Sequence, residues 1–224
     1  MTFDTIINAI AVYAIPVLFA IALHEAAHGY AARHFGDSTA ADAGRLTLNP
    51  FHHIDPFGTV LLPLMLSLIP GVVPFGYAKP VPVDFSRLNN PRKDMALVAL
   101  AGPMANFAMG LGWMIISVVA VAAGSTSALL ADMVQAGIWS NAAMFVFNLF
   151  PVPPLDGGRI MTSLLPPRLA HKFASLERYS MFIIFGIIAL MQFGLLQGFL
   201  GASMKFVVLH LFVPLVYPLN ILLN

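Results

Sequence analysis

Long apolar stretches without charged side chains alternate with short polar segments along this chain of 224 residues. Residues 5–23, 179–204 and 206–224 carry no charge, and residues 95–155 carry one. About 20 apolar residues in a helix cross the ~30 Å hydrocarbon core of a membrane. The pattern therefore predicts an all-α polytopic membrane protein with about five transmembrane helices. The predicted spans are residues 5–33, 95–123, 133–152, 179–202 and 204–223.

A further apolar segment, GTVLLPLMLSLIPGVVPFG at residues 58–76, is interrupted by three prolines, each of which removes a helical hydrogen bond. If it crosses the membrane, the basic residues on its two flanks lie on opposite sides. If it enters and returns, ten of the eleven Lys and Arg residues share one side. Lys and Arg collect on the cytoplasmic side. We therefore predict a re-entrant hairpin or extended loop between the first and second spans, an N-terminus outside, and Lys205 as the one exception.

The hairpin is followed by GYAKPVPV, residues 76–83. Non-helical backbone at membrane depth persists only inside protein or beside a watery cavity, so this region predicts a shielded, partly wet space. The alternation of Pro80, Val81, Pro82 and Val83 favours extended backbone, which offers an edge to an extended peptide. A packed connector is the alternative, and the pattern does not choose between them.

The composition agrees with a membrane protein and narrows the chemistry. The chain is 59% hydrophobic and 9% charged, with a mean hydropathy of +0.85, whereas soluble domains are about a quarter charged. The net charge of +1 gives no reason to expect nucleic acid as a partner, and the absence of cysteine excludes disulfides and thiolate metal sites. The first residues lack the basic region of a cleavable signal peptide. We expect one integral membrane domain over residues 1–224.

The first predicted span contains IALHEAAHGY, residues 21–30. His24 and His28 are four residues apart, so on a helix both imidazoles lie on one face, with about 6 Å of rise between them. Glu25 lies about 100° round the helix from His24. An H-E-x-x-H helix supplies two zinc ligands and a general base. Ionisable residues in an apolar span indicate a functional site, because they have no aqueous face to occupy.

Hydrolytic zinc sites usually hold three protein ligands and leave one position for water, so a third ligand is expected from elsewhere in the chain. The third predicted span ends in NLFPVPPLDGGRI, residues 148–160, where prolines stop the helix and glycines allow close approach. Asp156 lies there, at the depth expected for the histidines, in the cytoplasmic half. A capping role for Asp156 is the alternative. Asp132 is a weaker candidate because the charge pattern assigns it to the outer side.

Three ordered motifs carry a resemblance. HEAAH at residues 24–28, AGPMAN at 101–106 and NLFPVPPLDGG at 148–158 resemble the site-2 protease family of intramembrane zinc metalloproteases. The stretches GRLTLNPFHHIDPFGTVLLP and GYAKPVPV are also similar to its short members, so the resemblance covers most of residues 20–160. No segment resembles the PDZ or CBS domains that many members carry. Residues 179–224 match none of the motifs.

The resemblance implies a three-helix catalytic core within residues 5–160 and one bound zinc ion. It implies that His24, His28 and Asp156 are the zinc ligands and that Glu25 is the catalytic glutamate. The expected activity is cleavage of peptide bonds within or near transmembrane segments of membrane proteins, as in regulated intramembrane proteolysis. The expected location is the cell membrane, with the lipid bilayer and a transmembrane protein or peptide as partners.

The sequence is also compatible with other classes of function. A metal or proton transporter also uses buried His and Asp side chains, although an ion path requires no glutamate beside the histidines. An iron enzyme uses two histidines and a carboxylate, but no cosubstrate site is evident. A catalytically inactive binding protein is disfavoured by the intact set of four residues.

Two asparagines in the motifs have paired interpretations. Asn148 is a candidate for binding the substrate backbone or the developing oxyanion, and an interhelical hydrogen bond is the alternative. Asn106 has the same pair of interpretations, with a structural role favoured because Gly102 and Gly110 permit close helix contact. For the remaining histidines, no metal ligation is expected at His34, His52, His53 or His171, and a functional role is left open for His210.

Overall fold

The computed structural model describes residues 3–67, 76 and 78–223. Its regular structure within these ranges is entirely helical, and no β-strand occurs in them. The α-helices are α1 (Phe3–His34), α2 (Thr39–Asp42), α3 (Leu62–Ser67), α4 (Pro91–Ala122), α5 (Ala128–Asn148), α6 (Asp156–Leu164), α7 (Pro167–Ala174), α8 (Ser180–Gln192), α9 (Gln197–Phe206) and α10 (Val213–Leu223). Short 3₁₀ turns at Pro50–His53, Phe85–Arg87 and Ser175–Tyr179 and π-helical turns at Pro56–Leu61 and Val207–Phe212 connect some of them.

Five helical stretches are long and apolar enough to cross a membrane, as the hydrophobic pattern predicted. They are Ile10–His34, Pro91–Ala122, Ala128–Asn148, Pro167–Gln192 and Gln197–Leu223. The chain is thus a multi-pass membrane protein.

The predicted break between the fourth and fifth spans was wrong. We placed it near residue 203, beside Lys205, but the turn lies at residues 193–196. Gly194 there adopts a φ of +77°, a left-handed conformation that glycine adopts without steric cost. The helix α9 continues through Lys205, whose side chain is exposed. A charged side chain on a helix surface leaves the backbone hydrogen bonds intact, so it does not end the helix.

The centre of the molecule is a bundle in which α1, α4 and α5 each pack against the other two. The buried face of α1 is lined by small residues, including Ala20, Ala22 and Ala26. At Gly137 on α5 an added Cβ atom would lie 2.3 Å from the Trp113 ring of α4. Small residues let helices approach closely within a membrane, and this closeness brings side chains of three helices to one site.

The C-terminal spans pack against one side of this bundle. Phe212 is fully buried against Gly110 of α4, where an added Cβ would lie 2.4 Å from its ring. Phe212 also belongs to a hydrophobic cluster with Ala142 and Val208. By contrast, no residue of α8 is buried.

The end of α1 and the beginning of α4 lie side by side. The Asn89 N–H donates to the Phe35 carbonyl over 2.8 Å, and the Asp84 N–H donates to the buried Asp37 carboxylate over 2.8 Å. The connection between the two helices therefore leaves from and returns to the same end of the molecule. Within this connection Pro56–Ser67 is helical, whereas most of the second half of the predicted hairpin lies outside the described residues.

Candidate metal centre

α1 delivers two histidines to the interior of the bundle, as their spacing predicted. His24 is 5% exposed, and the Nε2 atoms of His24 and His28 lie 3.1 Å apart. The two rings are nearly perpendicular, with centroids 4.7 Å apart. Two imidazole nitrogens therefore point at one position between them.

Asp156 completes the group, although it lies more than a hundred positions after the histidines. It is the first residue of α6, and its Oδ2 atom lies 3.3 Å from Nε2 of both His24 and His28. The glycines after it allow this placement, because an added Cβ at Gly157 would lie 2.3 Å from the Leu149 carbonyl oxygen and one at Gly158 would lie 2.5 Å from the Pro153 nitrogen. The prediction that proline and glycine would fold this turn tightly is consistent with these contacts.

Hydrogen bonds on the opposite side of each ring determine which nitrogen carries the proton. His24 Nδ1 lies 2.6 Å from Asn106 Oδ1, and His28 Nδ1 lies 2.7 Å from the Val98 carbonyl oxygen. Both partners are acceptors, so both Nδ1 atoms donate, and the Nε2 lone pairs face Asp156. Such outer partners fix the tautomer and orientation of metal-binding histidines.

The orientation of the Asn106 amide is itself fixed. Its Nδ2 group donates to the Ala20 carbonyl over 3.1 Å and to Asn141 Oδ1 over 3.0 Å. Asn141 Nδ2 in turn donates to the Gly137 carbonyl over 2.8 Å. Asn106 and Asn141 are fully buried. Each group thus donates to the next in a chain of hydrogen bonds from His24 through Asn106 of α4 to Asn141 of α5.

The donor set fits a zinc ion. Three acceptor atoms face one another at 3.1–3.3 Å, and Oδ2 of Asp156 is buried without a hydrogen-bond donor among the described residues. Such a cluster of lone pairs is unfavourable unless a cation lies between them. Ligand atoms at the corners of a tetrahedron about 2.0–2.1 Å from zinc are about 3.3 Å apart. The spacing matches that value.

Gly102 of α4 covers the histidine pair. A Cβ atom added there would lie 2.3 Å from His28 Nε2 and 2.7 Å from His24 Cε1. The sequence assigned this glycine only to helix contact. The structure adds a second role, because any larger residue would occupy the volume of the two rings.

Glu25 has a partner that the sequence did not predict. Its Oε2 atom accepts a hydrogen bond of 2.8 Å from the backbone N–H of Val81. The segment around Val81 is non-helical, as its prolines predicted, and Val81 is buried at 7% exposure.

The other candidates have different surroundings. Asp132 is exposed near the start of α5. Asn148 donates through Nδ2 to the Met144 carbonyl of its own helix over 3.0 Å.

The remaining histidines are mostly exposed, and these are His34, His52, His171 and His210. His210 stacks on Phe206. His53 is instead 2% exposed, with Nε2 lying 3.0 Å from the Thr47 carbonyl oxygen. Among the described residues, His24, His28 and Asp156 form the one group able to hold a metal.

Comparison with known proteins agrees with this geometry. The sequence model of peptidase family M50 matches residues 114–193. The chain is 38% identical over 187 residues, 80% of each chain, to a Bacillus subtilis protein named "Putative zinc metalloprotease YwhC". It is 29% identical over 172 residues to the Mycobacterium tuberculosis protein named "Putative zinc metalloprotease Rip2", covering 73% of this chain and 61% of that protein. No solved structure matches the chain.

Fold, site and similarity together define a membrane-embedded zinc metalloprotease. The chain belongs to peptidase family M50, the site-2 protease family. The resemblance drawn from the three motifs is thereby confirmed, as is zinc as the cofactor.

Proposed function

We propose that this protein is an intramembrane endopeptidase that hydrolyses peptide bonds within or near the transmembrane segments of membrane proteins. The observation that carries the proposal is the meeting of His24, His28 and Asp156 at 3.1–3.3 Å, built on a helix apolar enough to cross a membrane. A protease whose metal group lies on such a helix has substrates at the same depth.

The residues have separate roles in this proposal. His24, His28 and Asp156 would hold zinc, which when bound would supply a Lewis acid for the scissile carbonyl and for the attacking water. Glu25 accepts a proton from the attacking water and returns it to the amine that leaves. Asn148 is assigned to the substrate backbone or the oxyanion. One N–H of its Nδ2 group donates to the Met144 carbonyl, and the second N–H would donate to the substrate.

The substrate must present an accessible peptide bond. In an intact helix each amide is hydrogen-bonded and covered by side chains, so the cleaved segment has to unwind locally. Residues that weaken helices, such as glycine and proline, lower the cost of unwinding. We therefore expect the preferred cleavage sites to lie beside such residues.

The proposed orientation has the N-terminus outside and the metal group in the cytoplasmic half of the cell membrane. The positive-inside count supports it. The hydrogen bonds that join residues 35–37 to 84–89 support a connection that returns to the side it left.

Replacement of Glu25 tests the proposed activity. We expect Glu25→Gln to retain about one zinc per chain and to abolish cleavage, since the amide keeps the shape of the side chain but does not accept the proton. The measurements are metal analysis of detergent-purified protein and proteomics of membrane fragments from cells with wild-type or variant protein. His24→Ala, which should lose the zinc, is the control. Undiminished cleavage by Glu25→Gln would remove the assigned base.

The same preparations test the transporter alternative. Wild-type protein in liposomes that moves zinc or protons across the bilayer, while no membrane protein is cleaved in cells, would favour that class.

A further inference from the structure

The segment formed by residues 78–83, which precedes α4, reaches the side chain of Glu25, which is expected to act as the base. The Val81 backbone N–H donates to Glu25 Oε2 over 2.8 Å. Pro80 and Pro82 have no N–H group, so Val81 carries the only backbone donor at positions 80–82. The sequence thus leaves a single donor where the segment faces Glu25.

Contacts on both sides hold this segment in place. The Lys79 N–H donates to the carbonyl oxygen of the buried residue His53 over 3.0 Å. The Arg45 guanidinium donates through Nη2 to the Lys79 carbonyl over 3.1 Å. The backbone at Val81 is therefore anchored immediately before the bond to Glu25.

Gly29 allows the segment to lie directly on α1. Glu25 and Gly29 are four residues apart and share one helix face. An added Cβ at Gly29 would lie 2.9 Å from Cγ1 of Val81 and 2.9 Å from Cδ1 of Leu46. With hydrogen in place of that Cβ, the Val81 side chain packs against the helix one turn beyond Glu25, and its N–H reaches the carboxylate.

We propose that the Val81 backbone amide is a positioning group that holds the Glu25 carboxylate for proton transfer, and that Gly29 is the residue that admits it. The inference rests on the proposed role of Glu25. A glutamate side chain has several rotatable bonds, and a hydrogen bond to an ionised acceptor is among the stronger protein hydrogen bonds. The hydrogen bond from Val81 uses Oε2 of Glu25. The second carboxylate oxygen therefore stays available to accept a proton from water.

Removal of the N–H group is the direct test. Val81→Pro deletes the donor in a segment that already contains proline on both sides, whereas the matched variant Val81→Ala keeps it. We expect Val81→Pro to lower kcat about 10- to 100-fold, the effect of misplacing a reacting group by about 1 Å. KM and zinc content should stay within about two-fold of the wild type, and Val81→Ala should resemble the wild type. The substrate for these kinetic measurements is a membrane protein that wild-type cells cleave and Glu25→Gln cells do not, as identified by the proteomics described above.

Displacement of the segment is the second test and covers a failure of Val81→Pro to fold. Gly29→Ala places its Cβ 2.9 Å from both Val81 Cγ1 and Leu46 Cδ1, so kcat should fall. Gly29→Ala combined with Val81→Ala removes Cγ1 and should recover activity, because the contact that is left is with the end of the flexible Leu46 side chain, which can move aside. Gly112→Ala in α4, where nothing lies within 4 Å of the added Cβ, is the control and should leave kcat unchanged.

Amide hydrogen exchange at Val81 gives a readout independent of activity. The Val81 amide should exchange slowly in the wild type and in Gly112→Ala, and faster in Gly29→Ala and in Glu25→Ala. Equal exchange in all four proteins would overturn the proposal.

The kinetic outcomes also separate this inference from the proposed function. An inactive Glu25→Gln with Val81→Pro as active as Val81→Ala refutes the positioning role alone. A raised KM at unchanged kcat in Val81→Pro also refutes it and assigns the segment to substrate binding. An active Glu25→Gln refutes the role of the base itself.

Discussion

The imidazole of His24 depends on a neighbour that carries no charge. Asn106 accepts from Nδ1 of His24 and is oriented by two acceptors, the Ala20 carbonyl and Asn141 Oδ1. Without Asn106 the ring loses the partner that fixes its tautomer, and buried donors and acceptors are left unpaired. Asn106 is therefore better described as part of the metal centre than as a packing residue alone.

We expect Asn106→Ala to weaken zinc binding about 10- to 100-fold, the usual effect of removing an outer partner of a metal ligand. Competition with a chelator during zinc titration measures the affinity. Asn148→Ala is the matched control, since this asparagine bonds only to Met144 of its own helix among the described contacts, and its zinc affinity should equal that of the wild type. Equal affinity in both variants would contradict the assigned role.

The candidate residues themselves could be named from the sequence. His24, Glu25 and His28 follow from a local spacing, and Asp156 from the need for a third ligand near a turn of prolines and glycines. The contribution of Gly102 could not be derived in this way. Gly102 matters because it has no Cβ where its helix meets the two imidazole rings of α1. A single sequence does not specify which helices are in contact, so this role could not be predicted.

Among the connecting elements, the loop after α1 and the loop before α4 are joined by one buried carboxylate. Asp37 is 1% exposed and accepts hydrogen bonds from the Thr39 N–H over 3.0 Å, from the Thr39 hydroxyl, and from the Asp84 N–H over 2.8 Å. Burial by itself would raise the pKa of Asp37, but these hydrogen bonds and the charge of Arg87 outweigh it and hold the pKa below its ordinary value. The carboxylate form is thus the one that joins the two elements.

The lowered pKa of Asp37 predicts that the stability of the folded protein depends on pH. A carboxyl group with a lower pKa in the folded protein stabilises it above the pKa of the unfolded chain, about 3.9, and the stabilisation is lost as the pH falls further. Asp37→Asn should lower the free energy of unfolding at pH 7 by about 1–3 kcal/mol. Thermal unfolding in detergent measures this change, and the difference in the free energy of unfolding between wild type and Asp37→Asn should become smaller as the pH falls from 5 to 3. A difference independent of pH would contradict this account.

Helix boundaries were predictable where backbone chemistry determines them. The prolines after α5 predicted the end of that helix, which the structure has at Asn148 rather than at the predicted residue 152. α4 begins at Pro91 rather than at the predicted residue 95, because proline is well suited to the first position of a helix. The fourth and fifth spans were divided at the wrong place because charge was used as the signal. A charged residue indicates that its side chain is exposed and says nothing about where a helix ends. The left-handed conformation of Gly194, by contrast, turns the backbone.

For the whole molecule, the side of the membrane on which each loop lies is the main open prediction. The chain contains no cysteine, so a single introduced cysteine reports its own accessibility to a maleimide that does not cross membranes. Three exposed positions serve this purpose: Ala43 after α1, Ser86 before α4 and Ser125 between α4 and α5.

With a re-entrant hairpin, Ala43→Cys and Ser86→Cys should react only after the cells are permeabilised, whereas Ser125→Cys should react in intact cells. The physical reason is that residues 35–37 and 84–89 are hydrogen-bonded at one end of the bundle, and this end carries most of the basic residues. Labelling of Ala43→Cys and Ser86→Cys from opposite sides would mean that the segment crosses.

The sequence by itself determined the features that depend on neighbours along the chain. The lengths of the apolar runs predicted five spans, the i and i+4 spacing set two imidazoles on one face, and prolines and glycines marked the turn that carries Asp156. Each follows from the geometry of one helix or one turn, so no contact between distant residues is needed.

Only the tertiary structure decided which distant groups meet. Asp156 lies 3.3 Å from two histidines more than a hundred positions earlier, Asn106 orients one of them, and Val81 donates to Glu25. These meetings depend on how closely the helices pack, which is set jointly by Gly102, Gly29 and other small residues on several elements. Packing of this kind is a property of surfaces brought together in three dimensions, and no local pattern encodes it.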